Sequence, residues 1–263
     1  MTMEHRTAAP GGLMPEINLI TFLAHVALYK KYCGSWFGLG WSMLNPLFQI
    51  MIFYFAFKII MRVPIDNYFV YLSAGMIPWT FLTASLQNAT ASIVGRKEIL
   101  HSTPLHPWSF VLADISCELF GMLVAFLILL CFAVLLTPNP LHWLPLVPFV
   151  LVPVVIFSYA AGLIVAHLAV LYRDLPHLLS LFLSFAFWLM PVVYHWNMVP
   201  KAIEPFVRYN PMAMFIGSIQ VVLHGGTMPS FELLSFIYIT AFVTVLIAVA
   251  VTRKFGRNII YRL

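Results

Sequence analysis

The sequence predicts an all-α polytopic membrane protein with an N-terminal amphipathic interfacial helix, six transmembrane helices, short re-entrant helices between the fifth and sixth, and both termini cytoplasmic. Three observations carry this expectation. Apolar stretches over residues 41–60, 69–89, 109–136, 144–170, 178–194 and 231–252 fill most of the 263-residue chain. Each approaches or exceeds the about 20 residues that a helix needs to cross roughly 30 Å of hydrocarbon. The stretches lack the period-2 alternation of a membrane barrel, and in lipid only helices and closed barrels satisfy their own backbone. Finally, 62% of the residues are hydrophobic and 9% are charged, against about 25% charged in soluble domains. A flexible N-terminus over 1–14 and one membrane domain over 15–263 account for the length, leaving no soluble catalytic module.

Taken in order, residues 1–12 are polar and rich in Gly and Pro, a composition that orders poorly. They show no basic start followed by a short apolar core, so no signal peptide is expected. Over 15–32, Ile17, Ile20, Leu23, Leu28 and Tyr29 alternate with Glu16, Asn18, His25, Lys30 and Lys31. That mixture suits a helix lying along the cytoplasmic interface. A glycine-broken connection leads into the first span, where Asn45-Pro46 falls early enough for a proline to be tolerated. The loop over 95–108 is charged and proline-punctuated, with room for a short helix over 96–102 before Pro104. Residues 137–143 and 172–176 read as tight turns. The segment 195–230 holds Pro200, Pro205, Pro211 and Pro229 among Trp196, Phe206, Tyr209 and Phe215. It is too apolar for a solvated loop and too interrupted for a span, which points to short helices dipping into the outer leaflet.

Charge fixes the orientation. With a cytoplasmic N-terminus, Arg6, Lys30, Lys31, Arg96, Lys97, Arg173, Arg253, Lys254, Arg257 and Arg262 face inward, and Lys58, Arg62, Lys201 and Arg208 face outward. Ten against four follows the positive-inside bias, so the net charge of +5 is explained by topology without nucleic acid. Cys33, Cys117 and Cys131 are odd in number and two lie inside spans, a poor basis for a disulfide framework.

Four blocks in order resemble the ABC-2 type permeases that export polysaccharides such as O-antigen, capsule and teichoic acid. They are Tyr29-Lys-Lys-Tyr-Cys-Gly-Ser-Trp-Phe-Gly-Leu-Gly-Trp-Ser-Met-Leu-Asn-Pro-Leu47, then Tyr71-Leu-Ser-Ala-Gly-Met-Ile-Pro-Trp-Thr-Phe81, then Tyr172-Arg-Asp-Leu175, and finally Phe187-Trp-Leu-Met-Pro-Val-Val-Tyr194 with Asn210-Pro-Met212. The resemblance spans nearly the whole chain from about Leu23 onward. It implies the transmembrane subunit of an ATP-driven exporter in the bacterial inner (cytoplasmic) membrane, moving a lipid-linked polysaccharide outward. It further implies a homodimer of this chain working with two copies of a nucleotide-binding ABC ATPase subunit. The chain has no G-x-x-x-x-G-K-[ST] and no Gly-Lys dipeptide, so it forms no P-loop. ATP and Mg are therefore expected on the partner subunit, with no cofactor and no catalysis in this chain.

Three groups of residues are candidates for function. Arg96, Lys97, Glu98 and His101 stand in the cytoplasmic loop that would receive force from the ATPase subunit; the plainer reading is a solvated basic turn. Lys30, Lys31, Arg96 and Lys97 suit the diphosphate head group of a lipid-linked glycan, and equally suit attraction to anionic lipid. Trp41, Phe48 and Phe55 recur every seven residues on the first span, and Phe185 and Trp188 share a face of the fifth that extends to Tyr194. Rings along a conduit contact sugar C–H surfaces without holding the polymer back, while the alternative places them against lipid or neighbouring helices. Asp114 and Glu118 lie four apart on one helix face, where an ion pair with Arg96, Lys97 or Arg173 explains them better than a proton relay. Arg173-Asp174 reads as a cap or an interfacial pair. None of the nine histidines belongs to a metal-ligand pattern, so no metal site is expected. The competing classes are an ABC-2 drug or lipid exporter, and a membrane-embedded polyprenyl-phosphate enzyme. The enzyme would need several carboxylates around Mg²⁺, and no second acidic cluster accompanies Asp114 and Glu118.

Overall fold

The computed structural model describes residues 13–33, 36–38, 40–102, 105–136 and 143–256, and the expectations made for residues 1–12, for the turn over 137–143 apart from Trp143, and for Arg257 and Arg262 lie outside them. Of the four helices long and apolar enough to span a membrane, the least apolar sits deepest. In α3 (Tyr68–Ser92), rich in Ser, Thr, Asn and Gln, 78% of the membrane-length window is buried, against 17% in the far more apolar α10 (Phe231–Phe255). Hydrocarbon gives no reason to bury Leu or Phe, so the helix with small and polar side chains takes the centre and the apolar ones face outward. Around α3 stand α2 (Gly40–Tyr54), α5 (Pro107–Leu136), α6 (Val147–Leu171), α7 (Leu175–Leu189) and α9 (Pro211–Leu223). Close approach is allowed by Gly162, where a Cβ would fall 2.5 Å from Ile115 Cδ1 and 3.5 Å from Ala89 Cβ. At that point α3, α5 and α6 meet.

Four stretches are long and apolar enough to cross a membrane: Tyr68–Ser92, Pro107–Phe132, Leu144–Leu171 and Phe231–Phe255. The other two expected spans differ in form. The first continues from α2 into a π-wound segment, Phe55–Ile60, in which the Met61 N–H donates to the Ala56 carbonyl at 3.0 Å. Lys58 then folds back, its Nζ donating to the Ile65 carbonyl at 2.8 Å, so this cation closes the following turn. The fifth, expected over 178–194, stops at Leu189 because Met190 takes an extended conformation (φ −96°, ψ 145°) ahead of Pro191. The residue before a proline is pushed out of the helical region, and hydropathy alone carried the expectation past that point.

The broken backbone after α7 is buried, and side chains complete it. Tyr68 Oη donates to the Val193 carbonyl at 2.7 Å, and Tyr71 Oη to the Tyr194 carbonyl at 2.7 Å and the Pro191 carbonyl at 3.3 Å. Gln220 Nε2 lies 3.3 Å from the Pro191 and Val192 carbonyls. Side chains from α3 and α9 thus replace the helix ladder for consecutive carbonyls, the condition under which irregular backbone survives away from water. Gly75 makes room for this: a Cβ there would lie 2.7 Å from Gln220 Nε2 and 3.0 Å from the Val192 carbonyl oxygen.

The segment expected to hold short helices contains a 3₁₀ turn (Trp196–Met198), α8 (Glu204–Arg208) and the buried α9, whose start is capped by the Asn210 side chain accepting from the Met212 N–H at 3.0 Å. Ser230 caps α10 similarly, and Tyr238 Oη donates to the Phe149 carbonyl at 3.0 Å, setting α10 beside α6 in the same direction. The N-terminal α1 (Leu13–Tyr32) packs on α5. Leu23 reaches the core while Ile17, Phe22 and Tyr29 are exposed, so its outer face is itself partly apolar, as an interfacial helix requires. The loop between α3 and α5 forms a 3₁₀ turn (Val94–Arg96) and α4 (Lys97–Ser102), near the expected range.

Candidate functional site

Two arrangements concentrate the polar chemistry of the bundle. At the end of the bundle that carries Lys31, Arg96 and Lys97, the carboxylates of α5 hold two separate elements. Arg96 grips Asp114 at two points, Nη1 to Oδ2 and Nη2 to Oδ1, each 2.7 Å. Ser92 Oγ donates to the same carboxylate, and the guanidinium lies 5.2 Å from the Phe110 ring centre. One turn further along α5, Glu118 Oε1 accepts from Lys31 Nζ at 2.6 Å and from Asn88 Nδ2 at 2.8 Å. The i, i+4 spacing puts both acids on one helix face, so α5 clips the end of α1 through Lys31 and the turn leading into α4 through Arg96. Asp114 and Glu118 are 15% and 12% exposed, and in such surroundings each charge requires its partner.

Of the expected head-group residues, Lys31 and Arg96 are paired with carboxylates; Lys30, Lys31 and Lys97 all reach the surface, and Lys97 is itself engaged. The side chains of Lys97, Glu98 and His101 ride on the exposed face of α4, which Leu100, fully buried, anchors to the bundle. Asp174 occupies the N-cap of α7 without a side-chain capping bond, and both it and Arg173 are exposed, so the cap expected of this pair is not formed. Among the described residues no group of three His, Cys, Asp or Glu side chains is placed to hold a metal; His142 lies outside them.

The second arrangement is an open groove of about 300 Å³ between α2, α3 and α7. Phe53, Trp79, Phe187 and Trp188 supply rings; Gln49, Gln87, Thr83 and Ser184 supply amides and hydroxyls. Phe53 lies 5.3 Å from the Phe187 ring centre and 6.4 Å from that of Trp188, so the rings form one connected surface. Of the expected conduit residues, Trp188 lines this groove. Phe48, Phe55 and Phe185 are exposed on the outer faces of their helices. Trp41 instead borders a separate cavity of about 170 Å³ with Lys31, Asn45, Thr80 and Glu118. Tyr194 turns back on its own chain, its hydroxyl donating to the Leu189 carbonyl at 2.9 Å, and so closes the end of α7. Sequence reasoning missed Gln49, Thr83 and Gln87. The available signal was the presence of two amides within apolar helices, since polar groups at membrane depth are costly and seldom idle.

A helical bundle with four membrane-length apolar helices, a mixed ring-and-amide groove along one flank and ion pairs at one end is the architecture of a membrane domain. The chain belongs to the ABC-2 type transporter family, whose model matches residues 26–224. It is similar to two proteins of Klebsiella pneumoniae called O-antigen export system permease protein RfbA. One is 30% identical over 238 residues, covering 90% of this chain and 92% of the relative; the other is 29% identical over 239 residues with the same coverage. A protein of the same name from Myxococcus xanthus is 24% identical over 217 residues, covering 82% of this chain and 84% of its own.

Proposed function

We propose that this chain is the transmembrane subunit of an ATP-driven exporter that moves a lipid-linked polysaccharide, O-antigen-like or capsular, across the bacterial inner membrane. The observation that carries the reading is the groove between α2, α3 and α7, where Phe53 and Trp188 alternate with Gln49, Thr83, Gln87 and Ser184. Ring faces receive the C–H faces of sugars, and scattered amides and hydroxyls exchange hydrogen bonds with passing hydroxyl groups without a charge that would trap them. The likeness to O-antigen export permeases over most of the chain supports the same substrate class.

In this reading two copies of the chain face each other across their α2 and α7 flanks, whose Phe48, Phe55, Phe185 and Trp188 are exposed in the single chain. Each copy contributes half of the conduit. Two ATPase subunits bind ATP and Mg and push on α4 through Lys97, Glu98 and His101. Because α5 holds both α1 and the α4 turn, a push on α4 is transmitted to α5 and α1 together. Lys30 and Lys97 meet the diphosphate of the lipid carrier at the cytoplasmic mouth.

The test is purification of the tagged chain from solubilised membranes, with mass spectrometry, ATPase measurement and a surface-glycan assay of the deletion strain. The expected result is a Walker-motif subunit in equal amount, ATP hydrolysis, and loss of the glycan from the cell surface. Recovery of the chain alone, with surface glycan unchanged in the deletion strain, would overturn the reading.

A further inference from the structure

At the opposite end of the bundle from the Arg96–Asp114 pair, a second cavity of about 260 Å³ lies between the Trp196–Met198 turn, α8, α9 and the start of α10. We propose that this cavity is a sugar-binding subsite that holds one unit of a neutral glycan by ring stacking on Trp196 and Tyr209 and by hydrogen bonds to Glu204, Arg208 and Glu232.

Its construction is specific. Gly217 of α9 lies under the Trp196 indole, where a Cβ would fall 3.1 Å from Cζ2 and 3.2 Å from Nε1. The absent side chain lets the ring lie against the helix backbone and fixes it as one wall. Tyr209, 68% exposed, and the half-buried Phe236 add apolar surface. Glu204 and Arg208 come from α8, and Glu232 from the first turn of α10.

The chemistry selects among ligands. Two carboxylates against one guanidinium leave the lining at −1 (−2 + 1), which disfavours a phosphate or an acidic lipid head group. A lipid chain would strand three charged groups against hydrocarbon. Ring faces with carboxylate acceptors and an arginine donor instead match a pyranose, which presents C–H groups on one face and hydroxyls at its rim. The volume lies just under the roughly 300–1,000 Å³ of pockets for drug-sized ligands, a fit for a single sugar unit. The site differs from the groove between α2, α3 and α7 in having fixed charges, so it retains a sugar where the groove lets one pass. Its purpose, to hold the emerging polymer against backward slip, rests on the polysaccharide-export reading.

The experiment uses the purified complex of the chain with its ATPase subunit, and, as probe, the organism's own surface polysaccharide freed of lipid and cut to short fragments. Binding is followed by saturation-transfer NMR, with phosphatidylglycerol vesicles as the competing ligand. Tyr209→Ala and Glu232→Gln, both at accessible positions, are expected to weaken fragment binding by about five- to ten-fold, the loss of one ring contact or one charge-assisted hydrogen bond. Protein yield and ATPase rate stay at the wild-type level. Fragment binding insensitive to both substitutions, in a complex that still exports glycan, overturns the subsite and leaves the exporter reading standing. The same follows if these residues govern vesicle binding instead. A wild-type complex that neither binds nor exports glycan removes both.

Discussion

Arg96 and Asp114 meet in a two-point contact, with both nitrogen-to-oxygen distances at 2.7 Å, where the loop after α3 closes onto the first turns of α5. The geometry is fully occupied. A third donor, Ser92, approaches the same carboxylate, and the face of Phe110 backs the guanidinium. An arginine held in this way is a structural pin, and lysine cannot reproduce a planar fork.

Asp114→Asn therefore leaves a guanidinium only 29% exposed without its counter-charge. A loss of about 2 kcal/mol in stability is expected, typical of a hydrogen bond to a charged group in a shielded site. Arg96→Lys should lose less, because the charge remains. Thermal unfolding in detergent measures both, and an Asp114→Asn protein as stable as the wild type would show that the pair carries no load.

The second contact on that face of α5 has a different weight. Lys31 is 40% exposed, so its bond to Glu118 should contribute little stability, about 0.5 kcal/mol in a double-mutant cycle with Lys31→Met and Glu118→Gln. Its effect should appear in coupling. If α1 moves with α5, the double variant hydrolyses ATP in complex with its partner yet exports less glycan per ATP. Unchanged export per ATP would mean that α1 is a passenger.

Gly75 is the tightest point of the cradle under the broken end of α7. In Gly75→Ala the new Cβ would meet Gln220 Nε2 at 2.7 Å and the Val192 carbonyl oxygen at 3.0 Å. The amide swings away easily, but the carbonyl belongs to a buried backbone held by its neighbours. A cost of about 1–3 kcal/mol is expected, as for other overpacked interiors. Gln220→Ala in the same chain should recover only the part caused by the amide. Full recovery would place the whole strain on the side chain and none on the backbone.

Tyr71 should matter through its hydroxyl more than its ring. Tyr71→Phe keeps the stacking on Tyr68, 6.3 Å between ring centres, but withdraws the donor from the Tyr194 and Pro191 carbonyls. About 1–3 kcal/mol should be lost, the cost of leaving a buried acceptor unmet. Hydrogen exchange would report the effect as faster opening at residues 190–195. Exchange unchanged there would show that water or another donor replaces the phenol.

What the sequence made legible was local. Apolar runs placed the long helices, and the shared helix face of Asp114 and Glu118 foretold ion pairing, with Arg96 among the partners considered. Contacts between distant segments were not legible. Lys31 meets Glu118 across 87 residues, and only the docking of α1 on α5 brings them together. The end of α7 was marked by Met190-Pro191, yet the apolar run continued to Tyr194 and hid the break. The groove escaped for a further reason. The aromatic stripes singled out Phe48, Phe55 and Phe185 on the outward faces, and passed over the polar residues Gln49, Thr83 and Gln87. Thr83 and Gln87 do share a face of α3 with Trp79 at i, i+4 and i+8, but Gln49 stands on α2, and the three become one surface only after α2, α3 and α7 assemble.

That distinction separates two accounts of the aromatic residues. If the groove itself guides the polymer, Gln49→Leu and Gln87→Leu should each reduce export several-fold while protein level and ATPase rate persist, because each removes hydrogen-bonding capacity from the wall without creating a hole. Phe48→Leu, on the outward stripe, would then have a small effect. If the outward stripe lines the conduit formed by two copies, the order reverses: Phe48→Leu and Phe185→Leu impair export, and the amide variants are mild. Gln49 and Phe48 are adjacent in sequence but point along different lines of α2, so comparing them holds helix, depth and insertion nearly constant. Quantitative surface-glycan labelling in the deletion strain complemented with each variant reads the order directly. Equal and wild-type export from all four would remove both the groove and the outward stripe from the path of the polymer.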